Sequence, residues 1–383
     1  MFFETGDIPI LTTLFVCWVI QMLCYWACLA KPYYYQRAVE ERKIRFDQAS
    51  PPVSLIIYAR NDAKKLANYL PTVLEQDYPH YEVIVVDDCL SDDTEVVWRR
   101  ISSQYNHFYY TYIPPESKNV SRKKLALALG IKAAHYDSLL FLDDDSHPVS
   151  SDWLRLMARH LVGEKTIVLG FSALKNQSCR YAVYDYFFSD LQMMSLALIR
   201  RPYMGNGKNL GYLKSEFVRQ RTFSKFSVLE AGEDDLLINE LAGRDNVSVE
   251  LSPNSVTQVD MDESWMWKEL KIKRMITFPL YRKFPVIFWG IEKASRMLFY
   301  FLFIYSFARF FFHWQLSGAT AILFLIRAVT QWMIINKTAK RLQLPKFHAN
   351  LLFFDFIQPL VNGYFYLCGI FRSKRRGYGR YGR

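Results

Sequence analysis

The side chains best suited to chemistry are carboxylates that close apolar runs. Asp143, Asp144 and Asp145 follow SLLFL directly. Two carboxylates at i and i+2, here Asp143 and Asp145, can share one hard cation. Oxygen ligands suit Mg2+ or Mn2+, which keep several waters and bind substrate phosphates. The same triplet also reads as an acidic turn in which Asp145 caps a helix starting near Ser150. Asp87 and Asp88 close a second run, YEVIVV, and lead into Ser91, Asp92, Asp93 and Thr94. Adjacent carboxylates at such a point can accept hydrogen bonds from a base imide and a ribose. Asp88 is the better placed of the two, while Asp93 or Ser91 caps the helix that follows. Glu233, Asp234 and Asp235 lie in AGEDDLLINELA, at a helix start. Acidic residues are favoured there by the helix macrodipole. One carboxylate aimed at an acceptor hydroxyl would also serve as a general base.

Two further groups are not acidic. GNGKNLGY, residues 205–212, places Gly205, Gly207 and Gly211 close together, which lets the backbone approach a bound group. It lacks the GK[ST] of a phosphate-binding P-loop and does not follow the first strand as a dinucleotide fingerprint would. The basic residues Arg122, Lys123 and Lys124, then Lys268, Lys271, Lys273 and Arg274, could draw anionic lipid, nucleic acid or a diphosphate. No nucleic-acid-binding module accompanies them, so a nucleic-acid partner is not expected. Lys123, or one of Lys273 and Arg274, is expected to reach a phosphate, and the rest to lie at an interface.

These groups need a scaffold. VSLIIYA (53–59), YEVIVVDD (81–88) and SLLFLDDD (138–145) read as buried strands. Lys64 to Glu75, Thr94 to Gln104 and Arg122 to Ala134 read as helices between them. Alternating strands and helices predict a parallel α/β sheet, with its ligand at the carboxyl ends of the strands. Each strand ends in polar groups: Arg60, Asn61 and Asp62; Asp87 and Asp88; Asp143 to Asp145.

The chain of 383 residues is 51% hydrophobic and 22% charged, with a net charge of +11, which excludes a disordered, solvating protein. Mean hydropathy is near zero because a polar middle averages with two apolar ends. Ile8 to Ala30 is long enough to span a bilayer. Lys31, Arg37, Arg42, Lys43 and Arg45 follow it, so the positive-inside rule puts the next domain in the cytoplasm. Met297 to Phe312 and Leu316 to Ile335 read as a spanning hairpin. Leu351 to Phe371, flanked by basic residues, reads as a re-entrant hairpin or an interfacial run. Phe278 to Trp289 reads as an interfacial segment. The expected division is a transmembrane helix (1–30), a basic linker (31–51), a catalytic domain (52–277) and a membrane region with a basic tail (278–383). The expected place is a cell inner membrane, crossed several times. Six cysteines show neither CxxC nor zinc spacing and read as free thiols.

Taken together and in this order, the motifs resemble a membrane-anchored family 2 glycosyltransferase, over roughly Pro51 to Thr277. The opening segment through SDDT resembles the family's nucleotide-binding half. SLLFLDDD resembles the stretch ending in its DxD motif, here Asp143 and Asp145. GNGKNLGYLKSEF resembles the acceptor-side segment, and AGEDDLL the motif of the catalytic base. The resemblance implies a GT-A fold, Rossmann-like with a mostly parallel sheet, flanked by transmembrane helices. It implies an inverting transfer from a nucleotide-diphosphate sugar to a lipid-linked or glycan acceptor, with Mg2+ or Mn2+ as cofactor. Asp234 would be the catalytic base. Asp143 and Asp145 would be metal ligands. Asn61, Asp62, Asp88, Lys123, Asp143, Gly207, Asn209, Glu233, Lys273 and Arg274 would contact substrates. An export or assembly partner is compatible with this arrangement. Two departures stand out. Arg122 occupies the position before Lys123 where the family often has glycine, and WMWKELKIKRMI carries no QxxRW set. The second favours single transfer over a processive polysaccharide synthase, the alternative within the enzyme class. A silent scaffold that keeps the fold is a further alternative, opposed by the intact acidic motifs. A transporter is excluded, because the acidic clusters end soluble strands rather than sit inside spans.

Overall fold

A computed structural model of the chain describes residues 7–46, 49–60, 63–88, 92–114, 121–175, 179–220, 229, 231–261 and 263–375. Two N-terminal helices, α1 (Asp7–Leu23) and α2 (Lys31–Glu40), are joined through a wide helical turn at Cys24–Leu29. The α/β elements follow: β1 (Val53–Ala59), α3 (Ala63–Leu74), β2 (Tyr81–Asp87), α4 (Asp92–Gln104), β3 (Phe108–Tyr112), α5 (Arg122–Ala133), β4 (Ser138–Asp143), β5 (Ser146–Pro148) and α6 (Trp153–Ala158). Next come β6 (Ile167–Gly170), β7 (Ser172–Leu174), α7 (Arg180–Leu198), β8 (Leu210–Leu213), α8 (Lys214–Gln220), α9 (Asp235–Leu241), β9 (Val247–Glu250) and β10 (Thr257–Val259). Four helices close the described chain: α10 (Ser264–Thr277), α11 (Lys283–Arg309), α12 (Trp314–Arg341) and α13 (Asn350–Arg375).

Seven strands form the main sheet in the order β3-β2-β1-β4-β8-β6-β9, and β5-β10-β7 form a smaller one. Only β8 runs against its neighbours in the main sheet, β4 and β6. Every residue of β1 is buried, as expected of a central parallel strand covered on both faces. Leu55 and Ile57 point to one apolar cluster and Ile56 and Tyr58 to the other. The strand order reverses between β1 and β4, where Tyr58 pairs with Asp143 and Ala59 with Asp87 of β2. A ligand crevice is expected at such a switch point. The fold is a Rossmann-like, mostly parallel GT-A sheet.

Among the described residues, three helices are long and apolar enough to cross a membrane: Asp7–Glu40, Trp314–Arg341 and Asn350–Ser373. Three expectations change here. The first helix does not stop at Ala30, because Pro32 falls in the first turn of α2, where a missing N–H is tolerated; half of the expected linker is helical. The run from Leu351 is one unbroken helix rather than a hairpin, with Pro359 inside it. The expected span Met297–Phe312 belongs to the longer α11, which is not one of the three spanning candidates. Its last two-thirds carries Glu292, Lys293, Arg296 and Arg309.

Candidate active site

The first turn of α5 holds three cations in a row, an arrangement the helix dipole disfavours. Each side chain has a separate partner. The Arg122 guanidinium pairs with the Asp88 carboxylate through Nε and donates to the Asp88 carbonyl at 2.7 Å. Lys123 Nζ lies 2.8 Å from Asp143 Oδ1, 3.4 Å from Asp234 Oδ2 and 3.7 Å from Glu233 Oε1. Lys124, buried, donates to the carbonyls of Leu229 and Ala231 at 2.8 and 2.7 Å, which ties down the segment entering the Glu233–Asp234–Asp235 turn. Burial lowers the Lys124 ammonium to about 8, against the pull of the nearby carboxylates.

The carboxyl edge of the sheet thus gathers carboxylates from three distant parts of the chain. Asp88 is buried and also accepts from the Tyr58 hydroxyl at 2.6 Å, with Arg60 Nε 3.6 Å away. Burial would push Asp143 up, but Lys123 and Lys208 together hold it well below the usual carboxylate range. The Lys208 ammonium contacts Asp145 Oδ1 and lies 3.4 Å from Asp143 Oδ2. Asp144 turns away and accepts the Arg60 backbone N–H at 2.8 Å. Asp145 therefore faces Lys208 and caps no helix; α6 begins at Trp153, whose N–H bonds the Ser150 carbonyl.

Among Glu233, Asp234 and Asp235, the geometry separates the roles. Asp235 accepts from Thr277 Oγ1 and Tyr281 Oη, each at 2.5 Å, and so anchors α9 to the end of α10. Asp234 faces Lys123 and packs over Gly207, where an added Cβ would stand 2.4 Å from its carboxyl atoms. Burial raises the Asp234 carboxyl to about 7; Lys123 opposes this, while Asp143, Glu233 and Asp235 add to it. The turn before it needs Gly232, which sits at φ 88° against the Leu236 side chain. A cavity of about 50 Å3 opens beside Asp234, lined also by Glu233, Asn206, Lys273 and Arg274. Glu233 Oε2 is buried there without a partner. Arg274 donates to Ser189 Oγ at 2.8 Å, and its other amino group lies 3.7 Å from Asp190 Oδ1.

Asn61 and Asp62 lie outside the described residues. Asp88, Lys123, Asp143, Asp145 and Asp234 meet at the carboxyl edge of the sheet, and Glu233, Lys273 and Arg274 line the adjoining cavity, while Asn209 is turned into the fold. Asn209 does not face a ligand. Its amide donates to the Phe171 and Ser255 carbonyls at 2.7 and 2.8 Å and accepts from the Trp153 indole at 3.0 Å. These bonds hold β8 to the loops beside it, so the residue is structural. Lys208, Tyr58 and Arg122 were not expected in the site. The sequence signal for Lys208 is a single cation between Gly207 and Asn209 in the otherwise uncharged run from Pro202 to Leu213. Burial alone would lower its ammonium, yet Asp145 and Asp143 raise it above the ordinary value.

Asp143 and Asp145 also bear on a metal. Their paired oxygens suit a hard divalent cation, and the Lys208 ammonium against both carboxylates marks the spot as one that takes positive charge. Among the described residues no three His, Cys, Asp or Glu side chains converge as a metal-binding group. The protein therefore offers two carboxylates, and a diphosphate and water would complete the coordination.

Residues 54–225 match the family model described as Glycosyl transferase family 2. A relative named for teichuronic acid biosynthesis, the glycosyltransferase TuaG of Bacillus subtilis (strain 168), is 28% identical over 95 residues, 25% of this chain and 36% of that protein. The match spans about a third of the relative's length. In overall structure the chain is similar to the mannosyltransferase PcManGT from Pyrobaculum calidifontis in complex with GDP-Man and Mn2+. The TM-score is 0.50 at 17% identity, over 91% of this chain and 99% of that one. Residues 1–349 of S. aureus TarS, in complex with UDP-GlcNAc, align at a TM-score of 0.42 and 15% identity, over 85% of this chain and 92% of that one.

Proposed function

We propose, from the match of residues 54–225 to the model described as Glycosyl transferase family 2, that this chain is a glycosyltransferase that transfers one sugar from a nucleotide-sugar donor, with inversion, to a lipid-linked or glycan acceptor at the cytoplasmic face of a membrane. The observation that carries the reading is the placement of Asp234. Of its triplet it lies nearest Lys123, at 3.4 Å, packs over the bare α-carbon of Gly207 and borders the cavity.

Asp88 receives the nucleoside. A carboxylate has about four lone-pair positions, so the bonds from Tyr58 and Arg122 leave room for one more donor. Asp143 and Asp145 would hold Mg2+ or Mn2+, whose positive charge would stabilise the leaving diphosphate. Lys123 and Lys208 keep Asp143 ionised and add positive charge beside the diphosphate. Asp234 takes the acceptor proton as the hydroxyl oxygen attacks the anomeric carbon from the side opposite the nucleotide. A single displacement inverts the configuration. With its carboxyl raised to about 7, Asp234 is a strong enough base near neutral pH and is still ionised there in part. Lys273 and Arg274, on the acceptor side of the same cavity, orient the acceptor.

The catalytic unit is assigned to residues 52–277. The helices that can span a bilayer keep it at the membrane, with several passes through a cell inner membrane. The deciding experiment is nucleotide release from UDP-, GDP- and dTDP-sugars by detergent-solubilised protein with a lipid extract, with and without Mn2+ or Mg2+, and Asp234→Asn alongside. Metal-dependent release from one donor, lost in the variant, supports the reading. No release and no nucleotide binding would overturn it in favour of a silent scaffold.

A further inference from the structure

A second cavity of about 50 Å3 lies between the catalytic unit and the membrane helices, at the meeting of α7, α10, α11 and α13. That is several times the space one ordered water needs. Its lining is cationic: Lys271, Arg274 and Lys293 against one carboxylate, Asp185. Asp185 is already engaged, accepting from Lys271 Nζ at 2.6 and 2.8 Å and from the Trp267 indole at 3.2 Å. Lys293 has no hydrogen bond or ion pair among the described residues; its ammonium lies 5.1 Å from the Phe278 ring centre. Among the described residues, three buried polar atoms of the lining have no hydrogen-bond partner: Gln192 Nε2, Trp289 Nε1 and Asn362 Oδ1. Buried polar groups are normally satisfied, and in this lining neither the Lys293 ammonium nor the Gln192 amide N–H has an acceptor among the described residues, a set of groups that suits an anion.

We propose that this cavity receives the phosphate head of a membrane lipid that carries the acceptor. The inference rests on the transferase reading above and names the chemistry of its acceptor. A phosphate supplies what the lining lacks, namely negative charge for Lys293 and an acceptor oxygen for Gln192. Arg274 also lines the cavity beside Asp234. A head group bound here is therefore joined through one side chain to the base. α13, which lines the cavity through Gln358 and Asn362, is long and apolar enough to cross a membrane, so a head group held here lies against a helix with a membrane-facing surface. A free anion would have no use for that surface.

The test is direct binding to the full-length, detergent-solubilised protein by calorimetry with three probes: farnesyl phosphate, farnesol and inorganic phosphate. Farnesyl phosphate is expected to bind at least tenfold tighter than either of the others. Lys293→Met should weaken it at least tenfold, and Lys293→Arg should restore it. The melting temperature of each variant reports that it is folded. Equal binding of farnesol would mean a merely apolar groove, equal binding of inorganic phosphate a free-anion site, and unchanged affinity in Lys293→Met a different location; each overturns the proposal. UDP and GDP binding, measured on the same preparation, separates the two levels. Nucleotide binding without farnesyl phosphate binding sinks this inference alone, and loss of both sinks the transferase reading beneath it.

Discussion

The carboxylate of Asp234 rests against the bare α-carbon of Gly207: a Cβ there would lie 2.4 Å from Asp234 Cγ and both its oxygens. Two segments 27 positions apart in sequence thus meet at the candidate base, and the contact exists because one of them has no side chain. Gly207→Ala must displace the carboxylate. The expected result is a fall in kcat of at least about tenfold, with donor KM within about twofold, since the nucleotide edge is untouched. Steady-state kinetics against a fixed donor checks this; a normal kcat would mean that Asp234 has no positional role.

Asp234→Asn keeps the shape and removes the base. Loss of a general base lowers turnover by about 10²–10⁴-fold. Nucleotide affinity should stay within a factor of about three, as read by calorimetric titration of UDP and GDP.

The acid limb of the rate profile should report Asp234. Its carboxyl is raised to about 7, so the working, deprotonated form is lost as pH falls through that value. kcat/KM should then drop about tenfold per pH unit below it. Lys123 opposes the rise, so in Lys123→Met the limb should move to higher pH. A limb that stays in place would show that another group sets it.

Asn209 should matter to stability rather than to binding. Asn209→Ala leaves two carbonyls and the Trp153 indole N–H without their partners in a buried site. Each unsatisfied group costs about 1–3 kcal/mol. A melting temperature lowered by several degrees, with unchanged donor KM in the folded fraction, is the expected pair of results.

The helical bundle has its own ionic centre. Asp355 accepts from Arg296 at 2.8 Å, from Arg327 at 2.7 Å and from the Tyr300 hydroxyl at 2.7 Å, all with buried side chains. Removing one partner of such a buried group typically costs about 3–5 kcal/mol, because the opposite charges stay buried. Asp355→Ala should therefore lower thermal stability in detergent far more than Asp152→Ala, which breaks a surface pair with Arg155. Equal effects would mean that water reaches the Asp355 centre.

The central fold was legible because β1, β2 and β4 are continuous apolar runs ending in acids, and α5 follows helical patterning between them. Local signals of this kind act over a few residues, and burial on both sheet faces leaves no alternation to misread. The acidic motifs and Lys123 were legible for the same reason, since each stands at an element boundary. What the linear chain could not carry is distance. Asp235 is indistinguishable from Asp234 in AGEDDLL until Thr277 and Tyr281, more than 40 residues later, take one of them. Asn209 looked like a ligand until Trp153, Phe171 and Ser255 closed around it. Lys208 drew no reading from its neighbours Gly207 and Asn209 until β8, running against β4, laid it on Asp143 and Asp145. Residue types and local periodicity are set by neighbours along the backbone, and so chemistry and elements can be read from sequence. Which carboxylate is neutralised, anchored or left free depends on groups brought together by sheet order and helix packing, and that is decided only when the chain is folded.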